Sequence, residues 1–391
     1  MIKIYIIFLL DYNYKKMNFK IFIIFYILLS SFINSLRSEL KKEDFEGEID
    51  GKRVHLFVLT NKKGHEVAIT NYGGAIAAIM VPNRKGILEN VAQGHDSLQN
   101  YLNSPKKHLS TLVGRFANRI KDGKFILDKE VYQLSLNKKN CHSHGGDTGF
   151  NTRVWDAVQM SFNEVRMYYT SANGEEGYPG KLYMEVFFTF NDEDELKIEY
   201  RGSTTKKTIV NMTHHLFVNL DGLKDPCPTI EDHLLTLNAK LYLPTDENQI
   251  PTGEIKKVEN TPFDFLTPRA IGERINDYED PQIKIGDGYD HCYVIDKKNT
   301  DELTFAGKLY SPASGRTMEI YTTEPGLQVY SANSHDGFKG YHGIRMPRRS
   351  GIAFEAQHFP NSPNVGFFPS VVLKPGQTYT QTTIYKFGVE K

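Results

Sequence analysis

The sequence predicts an all-β protein, a single large antiparallel β-sandwich, on three grounds. Short segments alternate apolar and polar residues with a period of two, turn-forming residues separate them, and long helical periodicity is absent. In ELKIEYRGSTT, Leu196, Ile198 and Tyr200 alternate with Lys197, Glu199 and Arg201, which sets the apolar residues on one face of a half-buried strand. EVRMYYTS repeats the pattern with Val165, Met167 and Tyr169. KLYMEVFFTF, LLTLNAKLYLP, YSPASGRTMEIYTT and QTYTQTTIYKFGV are rich in β-branched and aromatic residues, which pack well on a pleated surface. Asn173-Gly174, Asp122-Gly123, Asp221-Gly222 and Asp287-Gly288 let the chain turn at little steric cost, and 17 prolines add further breaks. The segment EDHLLTLNAK, Glu231 to Lys240, is the best candidate helix. No linker, low-complexity run or internal repeat interrupts the pattern, so residues 39–391 read as one domain.

The N-terminal residues stand apart. MNFKIFIIFYILLSSFINS, Met17 to Ser35, carries Lys20, an apolar run from Ile21 to Leu29, and then small polar residues. That layout is expected of a secretory signal peptide, with Met17 as a candidate true start. The apolar run is shorter than the roughly 20 residues a membrane span prefers, which favours cleavage over a retained signal anchor. Residues 1–36 are therefore expected to be a targeting segment, and the mature protein to be secreted and free of the membrane.

The 391-residue chain is 40% hydrophobic and 24% charged, ample for a sizeable core. Basic and acidic residues number 47 each. Such a chain lacks the basic excess of a nucleic-acid binder and suits a small neutral partner. Its three cysteines, Cys141, Cys227 and Cys292, support no disulfide framework, and no C-x-x-C spacing indicates zinc. The hydrophobic core must hold the fold.

Polar residues concentrate in six otherwise apolar stretches: GRFANRIKDGKF, NCHSHGGDTGF, VNMTHHLFVNLDG, GDGYDHCYVI, TTEPGLQVYSAN and GIAFEAQHFPNSPN. In the last, Ile352, Phe354 and Ala356 share a strand face, and Glu355 falls on the other with Gln357. A carboxylate in so apolar a strand is costly to bury unless it is paired. Taken singly, it reads as a solvent-facing residue of an edge strand. Taken singly, His144 before two glycines reads as structural, and Arg119 and Asp290 as surface charges or an ion pair. The adjacent His214 and His215 point to opposite faces of a strand, so at most one of them serves a given pocket. His142, His144, His214 and His215 are the residues a metal centre would draw on. The His-Ser-His run has no acidic ligand at the expected spacing and the 214–215 pair diverges, so no metal is assigned. The glycosylation sequon at Asn211 lies in a strand-like apolar run and is expected to be unused.

As a series, these motifs closely resemble the aldose 1-epimerase (mutarotase) family, from about Gly51 to the C-terminus. GRFANRI is similar to the family's Gly-Arg-x-Ala-Asn-Arg-Ile segment and implies sugar binding by Asn118 and Arg119. SHGG resembles Leu-His-Gly-Gly and implies a catalytic role for His144. NMTHHLFVNL resembles Asn-x-Thr-Asn-His-x-Tyr-Phe-Asn-Leu and implies His215 as catalytic. GYDHCYV implies Asp290 and EPGLQVYSAN implies Gln328 as substrate-binding residues, and FEAQHFPNSPN implies Glu355 as the catalytic carboxylate. Two positions depart from the family: His214 stands where Asn is usual, and Cys141-His142-Ser143 stands where Asn-x-Leu is usual. The fold implied is the galactose mutarotase-like supersandwich.

The chemistry implied is interconversion of the α and β anomers of free hexoses such as galactose and glucose. Ring opening needs a base for the anomeric hydroxyl proton and an acid for the ring oxygen, with no redox step and no cofactor. A Glu and a His, with free pKa values of about 4.3 and 6.5, suit those roles. The expectation is that Glu355 starts ionised and His215 protonated, with His144 as a second donor near the ring oxygen. Three other readings use the same residues: a hexose-6-phosphate 1-epimerase, a non-catalytic carbohydrate-binding homologue, and a glycoside hydrolase with Asp290 and Glu355 as its carboxylate pair.

Overall fold

A computed structural model describes residues 37–390. The expected targeting segment at residues 1–36 lies outside the described residues. A nine-stranded sheet runs in the order Asp156–Ser161, Glu164–Ser171, Leu182–Phe190, Glu195–Thr204, Tyr379–Val389, Arg316–Thr322, Thr304–Tyr310, Leu234–Leu237 and Arg269–Ala270. A six-stranded sheet runs Phe217–Val218, Ile352–Gln357, Gly326–Tyr330, Asp290–Val294, Leu241–Leu243 and Lys256–Lys257. All pairings within both sheets are antiparallel.

Period-two alternation sets what each sheet gives the core. Val165, Met167, Val186, Phe188, Leu196, Ile198, Met318 and Ile320 come from the larger sheet. Tyr293, Leu327, Val329, Ile352, Phe354 and Ala356 come from the smaller one and join the same apolar cluster. The sheets are also tied by hydrogen bonds. Tyr385 Oη donates to the Phe354 carbonyl at 2.9 Å, and Gln381 Nε2 to the Ala356 carbonyl at 3.0 Å. Both bonds fix the height of the Ile352–Gln357 strand above the core.

A four-stranded sheet (Leu56–Thr60, Glu66–Thr70, Ala75–Pro82, Leu88–Asn90) packs partly on this core and partly on a second cluster around Phe45, Tyr72 and Tyr101. Among the described residues the α-helices are two short ones, Leu98–Asn103 and Pro281–Gly286. Ser97 caps the first by accepting from the Asn100 N–H, and Asp280 caps the second by accepting from the Gln282 and Ile283 N–H groups. No helix among the described residues is long and apolar enough to cross a membrane.

The candidate helix at Glu231–Lys240 is instead the strand Leu234–Leu237. Leu235 and Leu237 are buried while Leu234 and Thr236 are half-buried, so the period of two prevails over helix propensity. Asn211 is buried and its amide donates to the Ala117 and His358 carbonyls.

Candidate active site

The face of the six-stranded sheet turned away from the core carries the polar groups. Residues directly opposite in an antiparallel pair share a face, and the register places Gln328 opposite Glu355, Cys292 opposite Gln328, and Tyr330 opposite Asp290. One row of side chains thus holds Asp290, Gln328 and Glu355. Their neighbours Tyr293, Leu327, Val329 and Phe354 enter the core. The Ile352–Gln357 strand is an interior strand, buried throughout, and not the solvent-facing edge that Glu355 taken alone would indicate.

Above this face lies a cleft of about 590 Å³, within the range of roughly 300–1,000 Å³ usual for small-molecule sites. Asn118, Arg119, His144, His215, Asp290 and Glu355 line it. Gln328 stands just behind Asp290, donating from Nε2 to Asp290 Oδ1 at 2.6 Å.

His215 follows the strand Thr213–His214, and its backbone N–H donates to the Thr111 carbonyl at 2.8 Å. Its Nε2 lies 3.4 Å from Glu355 Oε1, with both side chains almost wholly buried. His214 turns the other way. Its Nε2 lies 3.1 Å from the Gly74 carbonyl, and its ring packs edge-on against Phe188 of the nine-stranded sheet.

His144 comes from the turn that follows the short strand Cys141–Ser143. Its φ of 50° and that of Gly145, 89°, lie in the left-handed region. A Cβ on Gly145 would sit 1.8 Å from the Gly114 carbonyl oxygen, so this close approach requires glycine. The Asn118 backbone N–H donates to His144 Nδ1 at 3.3 Å. An accepting Nδ1 leaves the proton of the neutral ring on Nε2. Asn137 clamps the same turn, accepting from the Ser143 N–H at 2.7 Å and donating to its carbonyl at 2.8 Å.

Arg119 joins the two sides of the cleft. It donates to Gln249 Oε1 at 2.6 Å and to Asn118 Oδ1 at 3.3 Å, and lies 3.4 Å from Asp290 Oδ2. The other arginine of this motif, Arg115, is buried away from the cleft and braces carbonyls of Pro179, Gly180 and Ala172. It is structural.

Burial controls protonation here. It pushes the Glu355 carboxyl up to about 8, with the Asp290 charge adding to the effect and Arg119 and Lys138 opposing it. Burial pushes His215 down to about 4 and His144 well below the ordinary imidazole value. Asp290 behaves differently: burial raises it, but Arg119 and Lys138 outweigh that and hold it below the usual range. Asp290 is therefore the fixed anion of the site. The expected resting state, Glu355 ionised and His215 protonated, is reversed: desolvation disfavours two separate charges, and the pair's proton rests on the carboxyl.

The histidines set aside as metal ligands behave unequally. His142 is engaged by the Ser135 carbonyl at 2.9 Å and Tyr178 Oη at 2.7 Å, and His214 faces the core. His144 and His215 do converge with Glu355, their donor atoms within 4.8 Å of one another. Non-convergence thus holds for two of the four histidines only.

The sequence pattern of the aldose 1-epimerase family matches residues 55–386. The chain belongs to that family. It is an isomerase of the class that interconverts aldose anomers. It is 40% identical to a mouse galactose mutarotase over 83% of this chain and 91% of that protein, and 39% identical to a human galactose mutarotase over the same shares. Identity to an aldose 1-epimerase of Escherichia coli K12 is 31%, over 87% and 97% of the two chains. Among solved structures, an aldose epimerase homologue from C. elegans superposes with a TM-score of 0.79 at 26% identity, covering 86% of this chain and all of the other. A galactose 1-epimerase from Lactobacillus acidophilus gives 0.75 at 28%, covering 88% and 97%.

The cleft of this family member also holds residues that the motifs do not flag. His108, Lys138, Gln249 and Tyr330 all line it. Gln249 sits on a turn with a φ of 58° and takes Arg119's shortest hydrogen bond. Tyr330 ends the strand Gly326–Tyr330 on the same face as Gln328. His108, Lys138 and Gln249 reach the site from loops, where no periodic pattern marks them.

Proposed function

We propose that the enzyme interconverts the α and β anomers of free hexoses such as galactose and glucose, with Glu355 and His215 as the acid–base pair. The 3.4 Å approach of Glu355 Oε1 to His215 Nε2 at the cleft wall is the observation that carries this reading. The pair holds one proton, and in either tautomer it offers one donor and one acceptor. When the anomeric hydroxyl docks on Glu355, the proton passes to His215. Glu355 then takes the O1 proton, the C1–O5 bond breaks as C1=O1 forms, and His215 delivers its proton to O5. Rotation about C1–C2 and the reverse transfers close the ring on its other face.

His144 Nε2–H is a donor to charge developing on O5. Arg119, Asn118 and Asp290 hold the hydroxyls, and Gln328 positions Asp290. No step is a redox step, so the reaction asks for no cofactor. The names of the mammalian relatives support galactose as a substrate.

Lys106, Lys107 and Lys138 also line the cleft. Lys106 is occupied by the Ser334 carbonyl at 2.6 Å and Asp336 at 3.3 Å, and Lys107 by the Leu102 carbonyl at 2.8 Å, which leaves Lys138 as the one cleft lysine without a side-chain partner among the described residues. Engagement of two of the three supports a free sugar over a phosphate. Polarimetry of freshly dissolved α-galactose, α-glucose and α-glucose 6-phosphate tests the assignment. Faster decay to equilibrium rotation is expected with the free sugars. Acceleration of the phosphate alone, or hydrolysis of a galactoside, would replace it.

The apolar run before Ser35 supports export, with the mature chain beginning near that residue. N-terminal sequencing of secreted material tests this, and an intact Met17 in a membrane fraction would overturn it.

A further inference from the structure

His108 carries chemistry that the acid–base mechanism does not use. It follows Lys107 on the loop that closes one side of the cleft, and its ring centroid lies 4.8 Å from that of His144. It also stacks on His215, with centroids 6.3 Å apart and planes within 19°. Three imidazoles thus form one wall over Glu355.

Among the described residues His108 Nδ1 is buried with no hydrogen-bond partner, and no hydrogen bond engages Nε2 of this cleft-lining ring. A buried N–H is rarely left unpaired, while an unpaired acceptor is better tolerated. The neutral ring therefore keeps its proton on Nε2, directed at whatever occupies the cleft. The His144 proton is on Nε2 as well, because its Nδ1 accepts from Asn118. Two neutral imidazole donors stand side by side, close enough to grip two neighbouring oxygens of one small molecule.

We propose that His108 is a substrate-binding residue of this site, donating from Nε2 to one hydroxyl oxygen of the sugar next to the oxygen held by His144. It sets which hydroxyl pattern the cleft accepts and takes no proton during ring opening. The proposal rests on the hexose reading above.

The test couples a protein change to a sugar change. His108→Phe keeps the ring and its stacking but removes the donor, and His108→Gln restores an N–H near the position of Nε2. A net hydrogen bond of about 0.5–1.5 kcal/mol corresponds to a KM increase of roughly two- to tenfold in the Phe variant. The expected kcat stays within about threefold, and the Gln variant recovers most of the loss. The 2-, 3-, 4- and 6-deoxy derivatives of galactose are then compared in wild type and His108→Phe. One deoxygenation should cost wild type in kcat/KM and cost the Phe variant nothing further, which identifies the hydroxyl held.

Equal deoxygenation costs in both proteins at every position would overturn the role of His108 while leaving the anomerase reading intact. So would a large fall in kcat at unchanged KM, which would make His108 part of the acid–base step. A wild type that neither binds nor anomerises the parent sugars would remove both readings. Equal thermal midpoints for the folded variants separate loss of the donor from loss of the loop.

Discussion

His215 Nε2 and Glu355 Oε1 stand 3.4 Å apart with their side chains 8% and 2% exposed, a carboxyl and an imidazole withdrawn together from water. Ionising both in that setting is costly, so the pair behaves as one site that holds one proton.

That sharing fixes a pH profile. Below about 4 the imidazole gains a second proton and the pair has no base; above about 8 the carboxyl loses its proton and the pair has no acid. Hexose kcat/KM should therefore be bell-shaped, rising through about 4 and falling through about 8. Measured initial rates across that range check it. Limbs at the ordinary values of about 4.3 and 6.5 would show that the pair is solvated in the working enzyme.

Asp290 tunes both limbs. Its charge adds to the burial that raises Glu355, and it opposes the burial that lowers His215. Removing it in Asp290→Asn lowers both values, so both limbs should move to lower pH. The variant also frees Arg119 and Gln328 from their shared anion. Breaking a buried ion pair typically costs about 3–5 kcal/mol, so thermal stability and KM should both worsen. Limbs that stay in place would mean Asp290 is screened from the pair.

The adjacent histidines separate cleanly. His215→Asn removes the acid and should lower the galactose rate by roughly 10²-fold or more. His214→Asn loses a buried hydrogen bond to the Gly74 carbonyl and leaves space against Phe188. It should leave the rate within a few-fold and cost about 1–3 kcal/mol of stability. One polarimetric assay and one thermal melt of each variant decide this. A larger rate loss at 214 than at 215 would reverse their assignments.

The residues of this site are legible through the motifs the chain shares with its family, and strand period adds only which face some of them take. Alternation in IAFEAQ lifts Glu355 off the core face, and the same rule splits His214 from His215. The paired glycines after His144 announce the close approach to Gly114. Three things lie beyond the sequence. His108 and Gln249 enter from loops that carry no periodic signal. The Leu234–Leu237 segment is as apolar as a helix face, and only its partners Arg269–Ala270 and Thr304–Tyr310 make it a strand. The resting proton depends on burial depth, which no motif encodes.

If the Glu355–His215 pair opens the sugar ring, Glu355→Gln removes the group on which ring opening depends. The substitution keeps the shape of the side chain and removes its capacity to exchange a proton. Mutarotation of freshly dissolved α-galactose, followed by polarimetry at neutral pH, should slow by roughly 10²–10⁴-fold relative to wild type. Calorimetric titration with galactose should show affinity changed far less. Wild-type rates in Glu355→Gln, with galactose still bound, would mean that Glu355 is not the base that opens the ring.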